Sequence, residues 1–456
     1  MTALKHDLPE ELVEWMAHTG EGKVTKLYRH VARREAWVVD ITRSDGSVLE
    51  GFLRLQRGQP QQAPDPQRLE REVRVMQLLH QRGIPAPKVY GWHGELKAAL
   101  LERDPGRSDI DKLDSPEQQR AIMQDFMDVL ANIHLLNIDE LGLDDVMQYR
   151  PTTARDCALN EVELVESQWQ FFLKDYNDPL TLYALSWLRR FAPDEVARVS
   201  LLQGDTGPVN FMFQGDKVSS VIDWETAHFG DPLEDLGNIV VREMWNPCGG
   251  LKGLFKRYEE KSGVPYDRFR VQYYAVQQNV RGMIPIHLVS LSVPKRESLA
   301  WYLCYRYLGD RGTTQMLAAA MDAPITPPDL PEECKSKDVI SRYTQQTLFE
   351  DVLPHIEDAF AQARVKDVAA LVACSDRKVR FGQQLADDEK ADLVELIGTT
   401  FDNLQEGYVL FKNYLSSEGF DDAATINFLT RKALRDEWLH LPAVNLYPAR
   451  SWSELD

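Results

Sequence analysis

The sequence is poor in cysteine: five in 456 residues (Cys157, Cys248, Cys304, Cys334 and Cys374), odd in number and widely scattered. None forms a C-x-x-C pair, so neither a thiolate zinc site nor a disulfide framework is expected. Long apolar runs are also missing, and nothing approaches the ~18 uninterrupted apolar residues of a membrane-spanning helix. The start, MTALKHDLPEELVEWMA, has acidic residues where a secretion signal needs a basic and then an apolar segment. These absences predict a cytoplasmic protein with reduced thiols and no membrane association. Positive charge is in deficit: 52 Lys+Arg face 71 Asp+Glu, a net charge of −19. Phosphate-backbone binding needs clustered Lys and Arg, so nucleic acid is not an expected partner. The acidic excess is shared almost evenly by the first 330 residues and the rest, so no acidic tail creates it.

What is present describes a folded chain of two or three domains, 43% hydrophobic and 27% charged. The runs AWVVDIT (36–42) and VLEGFLRL (48–55) flank Asp45-Gly46, a strong hairpin signal. An amphipathic helix is expected over about 66–82, with Leu69, Val73, Met76 and Leu79 or His80 on one face, ended by Gly83 and Pro85. A second strand pair is expected near 88–92 and 97–102. From there the pattern is helical, at 117–137, 160–190 and beyond 232, interrupted by a β segment at 201–223. The Pro-rich stretch 321–333 reads as a linker, and 336–440 as several amphipathic helices with short breaks. His134, among Leu and Ile, is expected to be a packed, hydrogen-bonded core residue. Asp387-Asp388-Glu389 is expected to be the charged first turn of a helix.

The chemistry concentrates at QGDTGPVNF (203–211), followed by VSSVIDWE and GDPLEDL. Val209–Phe213 and Val218–Ile222 flank Gln214-Gly215-Asp216-Lys217, which predicts a hairpin pairing Asn210 with Val221. Asp223 would then be the diagonal neighbour of Asn210 on the same face. One Asn and one Asp form an oxygen pair suited to Mg²⁺, which completes its shell with water and substrate phosphates. Asp205, a separate carboxylate in the preceding loop, suits a base that orients or deprotonates a hydroxyl. In LEGFLRL, alternation puts Leu49, Gly51, Leu53 and Leu55 on one face and Phe52 and Arg54 on the other. Glu72 flanks the buried stripe of the following helix, which makes Arg54–Glu72 a candidate pair.

The string Gln203-Gly204-Asp205-x-x-x-x-Asn210, then Ile222-Asp223-Trp224-Glu225 and Gly230-Asp231-Pro232-x-x-Asp235-Leu236, resembles the catalytic core of the aminoglycoside phosphotransferase family. It is most similar to the members associated with acyl-CoA dehydrogenases, and the likeness spans about 20–320. The resemblance implies an α+β, two-lobed protein-kinase-like fold, with a small β-rich N-lobe and a helical C-lobe, to which the helical pattern beyond the Pro-rich stretch adds a C-terminal α-helical domain. The expected boundaries are 1–104 for the nucleotide-binding lobe, 105–325 for the C-lobe with catalytic loop and acceptor pocket, and 332–456 for the helical domain. It makes Asp205 the catalytic base, Asn210 and Asp223 the Mg²⁺ ligands, and Asp235 a buttress of the catalytic loop. Asp231 is expected to cap the following helix. Gln203 stands where the family usually has His, and it can still donate and accept. Arg54 occupies the position of the family's phosphate-holding Lys or Arg. Arg33 and Arg34 fall in the phosphate-covering loop, and backbone groups of Glu102 and Arg103 at the hinge would contact adenine.

The implied reaction transfers phosphate from ATP, or another NTP, with Mg²⁺, to a small-molecule hydroxyl. A hydroxyacyl-CoA or related catabolic hydroxyl compound is the first expected acceptor, and an aminoglycoside or amino alcohol the alternative. A reading from another class is a nucleotide-binding pseudokinase that recruits a partner. The sequence leaves open whether the C-terminal helices form a homodimer or dock a partner.

Overall fold

The structure, a computed structural model, describes residues 8–30, 36–56, 65–174, 176–293, 297–334, 338–417 and 419–456. The chain begins with α1 (Glu10–Thr19), then β1 (Gly22–Arg29), β2 (Ala36–Arg43) and β3 (Val48–Leu55). Next come α2 (Arg68–Gln81), β4 (Val89–His93) and β5 (Ala98–Glu102). The five strands form one antiparallel sheet in the order β1-β2-β3-β5-β4. Its β-branched and aromatic runs suit a pleated, half-buried surface. At the β2–β3 turn, Asp45 accepts hydrogen bonds from the backbone N and hydroxyl of Ser47, at 2.9 and 2.6 Å. The alternation expected of β3 is present: Leu49, Gly51, Leu53 and Leu55 are buried, and Phe52 and Arg54 are partly exposed. Leu49 and Leu53 join Val39, Ile41, Leu100 and the α1 residues Leu12 and Met16 in one core. Burying each large side chain of this kind stabilises the fold by about 1.5–3 kcal/mol. Arg54 is thereby left on the opposite face of the sheet from this core.

Further along, α3 (Pro116–His134) starts at Ser115, whose hydroxyl accepts from Gln118 N at 3.1 Å, with Pro116 in the first turn. The helical stretch expected at 160–190 is two helices, α4 (Ala154–Leu173) and α5 (Pro179–Arg190). The second begins afresh because Asp178 caps it, accepting from Thr181 N at 2.9 Å, ahead of Pro179. The β segment comprises β6 (Ser200–Leu202), β7 (Phe211–Gln214), β8 (Lys217–Val221) and β9 (His228–Gly230). β9 pairs antiparallel with β6 and was not expected, since three residues carry too little pattern to be read.

The register of the β7–β8 hairpin corrects the sequence-based one. Near the turn the expected pairs form, Gln214 with Lys217 and Phe213 with Val218. A bulge then shifts the ladder, so Met212 faces Ser220 and Phe211, not Asn210, faces Val221. The extra residue is Ser219. It and Ser220 both direct their hydroxyls at the Asp104 carboxylate, a tie that equal spacing would not allow. Asn210 and Asp223 therefore both lie beyond the paired strands, and Ile222 N donates to Asn210 O at 3.0 Å.

The chain continues through α6 (Leu233–Trp245), α7 (Leu254–Ser262), α8 (Arg268–Leu291) and α9 (Leu299–Ala320). Residues 323–334 have no regular secondary structure. Then follow α10 (Val339–Gln346), α11 (Ala359–Ile397), α12 (Leu404–Leu415), α13 (Asp422–Leu439) and α14 (Leu441–Val444). Asp387, Asp388 and Glu389 lie well inside α11 rather than in a first turn, because no Pro precedes them in the helix, which runs through Gly382 unbroken. Glu389 is buried there and accepts from the Tyr408 hydroxyl. Two compact units emerge: residues up to Cys157 with Asp194–Asp267 and Ser451–Asp456, and Ala158–Pro193 with Arg268–Arg450. The helices after 332 thus share a unit with 158–193 and 268–320. Among the described residues, no helix is long and apolar enough to cross a membrane.

Candidate active site

Every expected site residue that the structure describes belongs to the first unit. Asp235, in the first turn of α6, is fully buried. Its carboxylate accepts from the backbone N of Gln203 and of Gly204, both at 3.0 Å, and from His134 Nε2 at 3.1 Å. A carboxylate only accepts, so His134 carries a proton on Nε2, and its Nδ1 faces the Tyr258 hydroxyl at 2.7 Å. Burial by itself would raise the Asp235 pKa. The hydrogen bond and charge of His134, with the loop donors, outweigh it and hold the carboxyl below its ordinary value. Asp231 Oδ1 accepts from Leu233 N at 3.1 Å, supporting the start of α6.

The loop held in this way is bent sharply. Gly204 has φ +79°, and a Cβ there would run into the Thr226 carbonyl oxygen. Gly204→Ala is accordingly expected to cost about 1–3 kcal/mol through backbone strain alone. Thermal unfolding checks this, and an unchanged midpoint would contradict it. Val209 has φ +73° and Asp223 φ +63°, uncommon for a β-branched residue above all. Gln203 is buried and donates from Nε2 to Ile222 O at 2.5 Å and to Asn210 O at 3.4 Å. One side chain thus fastens the backbone of Asn210 to that of the residue preceding Asp223.

Asn210 donates from Nδ2 to the carbonyl of Asp205 at 2.7 Å, which leaves its Oδ1 as the remaining side-chain acceptor. The Asp205 carboxylate is met by Arg242 from α6, Nε to Oδ1 at 2.9 Å and Nη2 to Oδ2. Arg54 donates to Glu72 Oε1 at 2.8 Å, so the expected pair is formed. The same guanidinium lies 3.5 Å from Asp223 Oδ1 through both Nη atoms and 3.5 Å from Glu225 Oε2. Burial alone would lower the Arg54 pKa. The Glu72 and Asp223 carboxylates more than reverse this and raise it, so the cation persists at any working pH. Glu225 also pairs with Arg68, and its backbone carbonyl accepts from the buried Arg71 at 2.7 Å. α2 is in this way stapled to the Asp223–Glu225 segment by two arginines, Arg68 and Arg71, and β3 by a third, Arg54.

At the expected hinge two backbone N–H groups already have partners. Glu102 N donates to Lys88 O at 2.7 Å and Arg103 N to Glu50 O at 3.2 Å. Both N–H groups are thus engaged by backbone carbonyls of neighbouring segments. The Arg103 side chain turns onto β2 and β3, pairing with Asp40 at 2.9 Å and Glu50 at 2.5 Å. Arg33 and Arg34 lie outside the described residues.

Among the described residues, no three His, Cys, Asp or Glu side chains gather into a metal cage. Asn210 Oδ1 and the Asp223 carboxylate are oxygen donors, which fits a hard cation that draws its other ligands from water and phosphates. Sequence reasoning missed Arg242, Arg68 and Arg71, and took His134 as core alone, without its hydrogen bond to the loop buttress. Arg242 left one usable signal: it follows Asp235 by seven residues, two helical turns, and so shares its face of α6.

Comparison with known proteins identifies the family and the fold. Residues 28–272, more than half of the chain, match the model of the phosphotransferase enzyme family (APH). Rattus norvegicus acyl-CoA dehydrogenase family member 11 is 26% identical over 257 residues, which are 54% of this chain and 32% of that protein. The chain therefore corresponds to about a third of the length of that relative. Escherichia coli hygromycin-B 4-O-kinase is 29% identical over 128 residues, 27% of this chain and 36% of that one. A crystal structure from Ralstonia eutropha, assigned to the aminoglycoside phosphotransferases, superposes with a TM-score of 0.52 at 20% identity, covering 67% of this chain and 95% of that one. At that identity the likeness speaks for the fold, which is kinase-like α+β with further helices toward the C-terminus. The chain belongs to the phosphotransferase enzyme family.

Proposed function

We propose that this protein transfers the γ-phosphoryl group of ATP, or another NTP, to a hydroxyl of a small molecule. The observation that carries the reading is one site holding a paired cation, Arg54, the oxygen donors Asn210 and Asp223, and a loop carboxylate, Asp205. In this reading Arg54, steadied by Glu72, binds the α- and β-phosphates. Asn210 and Asp223 would hold Mg²⁺, which when bound neutralises phosphate charge. Asp205 accepts a hydrogen bond from the acceptor hydroxyl and takes its proton as the oxygen bonds to the γ-phosphorus. The bond from that phosphorus to the β–γ bridging oxygen breaks, and the nucleoside diphosphate leaves. Gln203, Asp231 and Asp235 hold the loop in shape, so catalysis is chiefly positioning and electrostatics.

For the acceptor, the matches to acyl-CoA dehydrogenase family members support a hydroxyacyl-CoA or related catabolic hydroxyl compound. The shorter match to hygromycin-B 4-O-kinase supports an aminoglycoside or amino alcohol instead. The presence of Asp205, Asn210, Asp223 and Arg54 together speaks against a pseudokinase. A magnesium-dependent ADP-formation assay across hydroxy acids, hydroxyacyl-CoAs, amino sugars and amino alcohols separates these readings. Turnover that depends on one class is expected, and none in any class contradicts the proposal.

Arg54→Gln is expected to raise the KM for MgATP by about 10–100-fold, since charged hydrogen bonds of about 1.5–3 kcal/mol are lost. Arg54→Lys should retain part of this binding. An unchanged KM in Arg54→Gln would remove Arg54 from the phosphate site.

A further inference from the structure

Asp205 is held at both of its carboxylate oxygens by one side chain. Arg242 donates from Nε to Oδ1 at 2.9 Å and from Nη2 to Oδ2, a two-point contact that a planar guanidinium makes and an ammonium cannot. Two contacts fix the carboxylate plane as well as its distance. The loop backbone is fitted to this arrangement. Gly207 has φ +134°, and a Cβ there would lie 2.9 Å from Arg242 Cβ, so the loop passes directly over the arginine stem. α6 therefore grips the loop twice from one face: Asp235 takes its backbone N–H groups, and Arg242, two turns on, takes the Asp205 side chain. Neither partner of the pair is sealed in, with side-chain exposures of 24% for Arg242 and 28% for Asp205.

We propose that Arg242 is a positioning residue for phosphoryl transfer, holding the Asp205 carboxylate in the orientation that receives the acceptor hydroxyl. It acts through Asp205, and the inference rests on the phosphotransferase reading above. Displacing a reacting group by about 1 Å costs on the order of 10²-fold in rate, so loss of the clamp should lower kcat more than it alters nucleotide binding.

The test compares the full-length wild type with Arg242→Gln, Arg242→Lys, Arg242→Ala, Asp205→Asn and the Asp205→Asn/Arg242→Gln double variant. MgATP is the donor, and water or an active compound from the hydroxyl panel is the acceptor. Arg242→Gln is expected to lose about 10–100-fold in kcat with KM for MgATP within about twofold. Arg242→Lys should fall between it and wild type. Guanidinium chloride below denaturing concentration should restore part of the turnover of Arg242→Ala, which a merely structural role would not allow. The double variant should be no slower than Asp205→Asn, because the arginine acts only through that carboxylate. Turnover in Arg242→Gln equal to or above wild type would overturn the inference and mark the pair as a latch instead. Multiplying losses in the double variant would also overturn it. A wild type with no magnesium-dependent turnover of ATP defeats the phosphotransferase reading and this inference with it; an active wild type beside an unimpaired Arg242→Gln defeats this inference alone.

Discussion

Asp205→Asn is expected to lower turnover by about 10²–10⁴-fold while MgATP still binds with near-wild-type affinity. The substitution keeps the size of the side chain and removes its charge and its capacity to take a proton. It also weakens the contact with Arg242, which meets both carboxylate oxygens in the wild type. The Asp205 carbonyl, which receives Asn210 Nδ2 at 2.7 Å, is untouched, so the oxygen donors of the site should stay in place. Steady-state kinetics beside calorimetric titration with a non-hydrolysable nucleotide separates the two effects. Full turnover would remove Asp205 as the base. Lost nucleotide binding would place it in the phosphate site instead.

Asp235→Ala should be felt as stability before it is felt as rate. Gln203 N, Gly204 N, His134 Nε2 and, at 3.4 Å, Asn238 Nδ2 converge on this buried carboxylate. Removing it takes a buried acceptor from all of them, a loss of about 3–5 kcal/mol. For a unit of this size that corresponds to a fall of about 10 °C in the unfolding midpoint. The effect depends on pH in a definite sense. A carboxyl whose pKa is depressed on folding stabilises the protein above its ordinary value of 3.8, and loses that contribution as pH falls through the lower folded value. The gap between wild type and Asp235→Ala should therefore be full at neutral pH and narrow only below about pH 4. Asp235→Asn, which keeps one acceptor, should lie between the two. A midpoint unchanged by Asp235→Ala would show that the loop is held some other way.

Much of the site was legible because its chemistry is local in sequence. The hairpin after Asn210, the alternation that exposes Arg54 and the placement of Glu72 follow from period-two and helical spacing. What escaped depends on contacts that spacing does not encode. The bulge at Ser219 exists because Asp104, more than a hundred residues earlier, takes two adjacent serine hydroxyls. It moved Asn210 off its expected partner, Val221. The pairing of Arg68 and Arg71 with the Asp223–Glu225 segment joins a helix to a turn more than 150 residues away. The N–H groups of Glu102 and Arg103 are engaged by neighbouring segments, which side-chain identity does not reveal. His134 illustrates the same limit. Its apolar neighbours in sequence mark it as buried, and only the fold brings Asp235 to its ring.

Phosphorus NMR of the reaction mixture tests the central claim most directly. With MgATP and an active hydroxyl compound, the wild-type protein should produce one new phosphomonoester resonance for each ADP formed, and Asp205→Asn should produce neither at a comparable rate. ADP accompanied only by inorganic phosphate, or no product with any class of hydroxyl compound, would contradict the assignment of this chain as a small-molecule phosphotransferase.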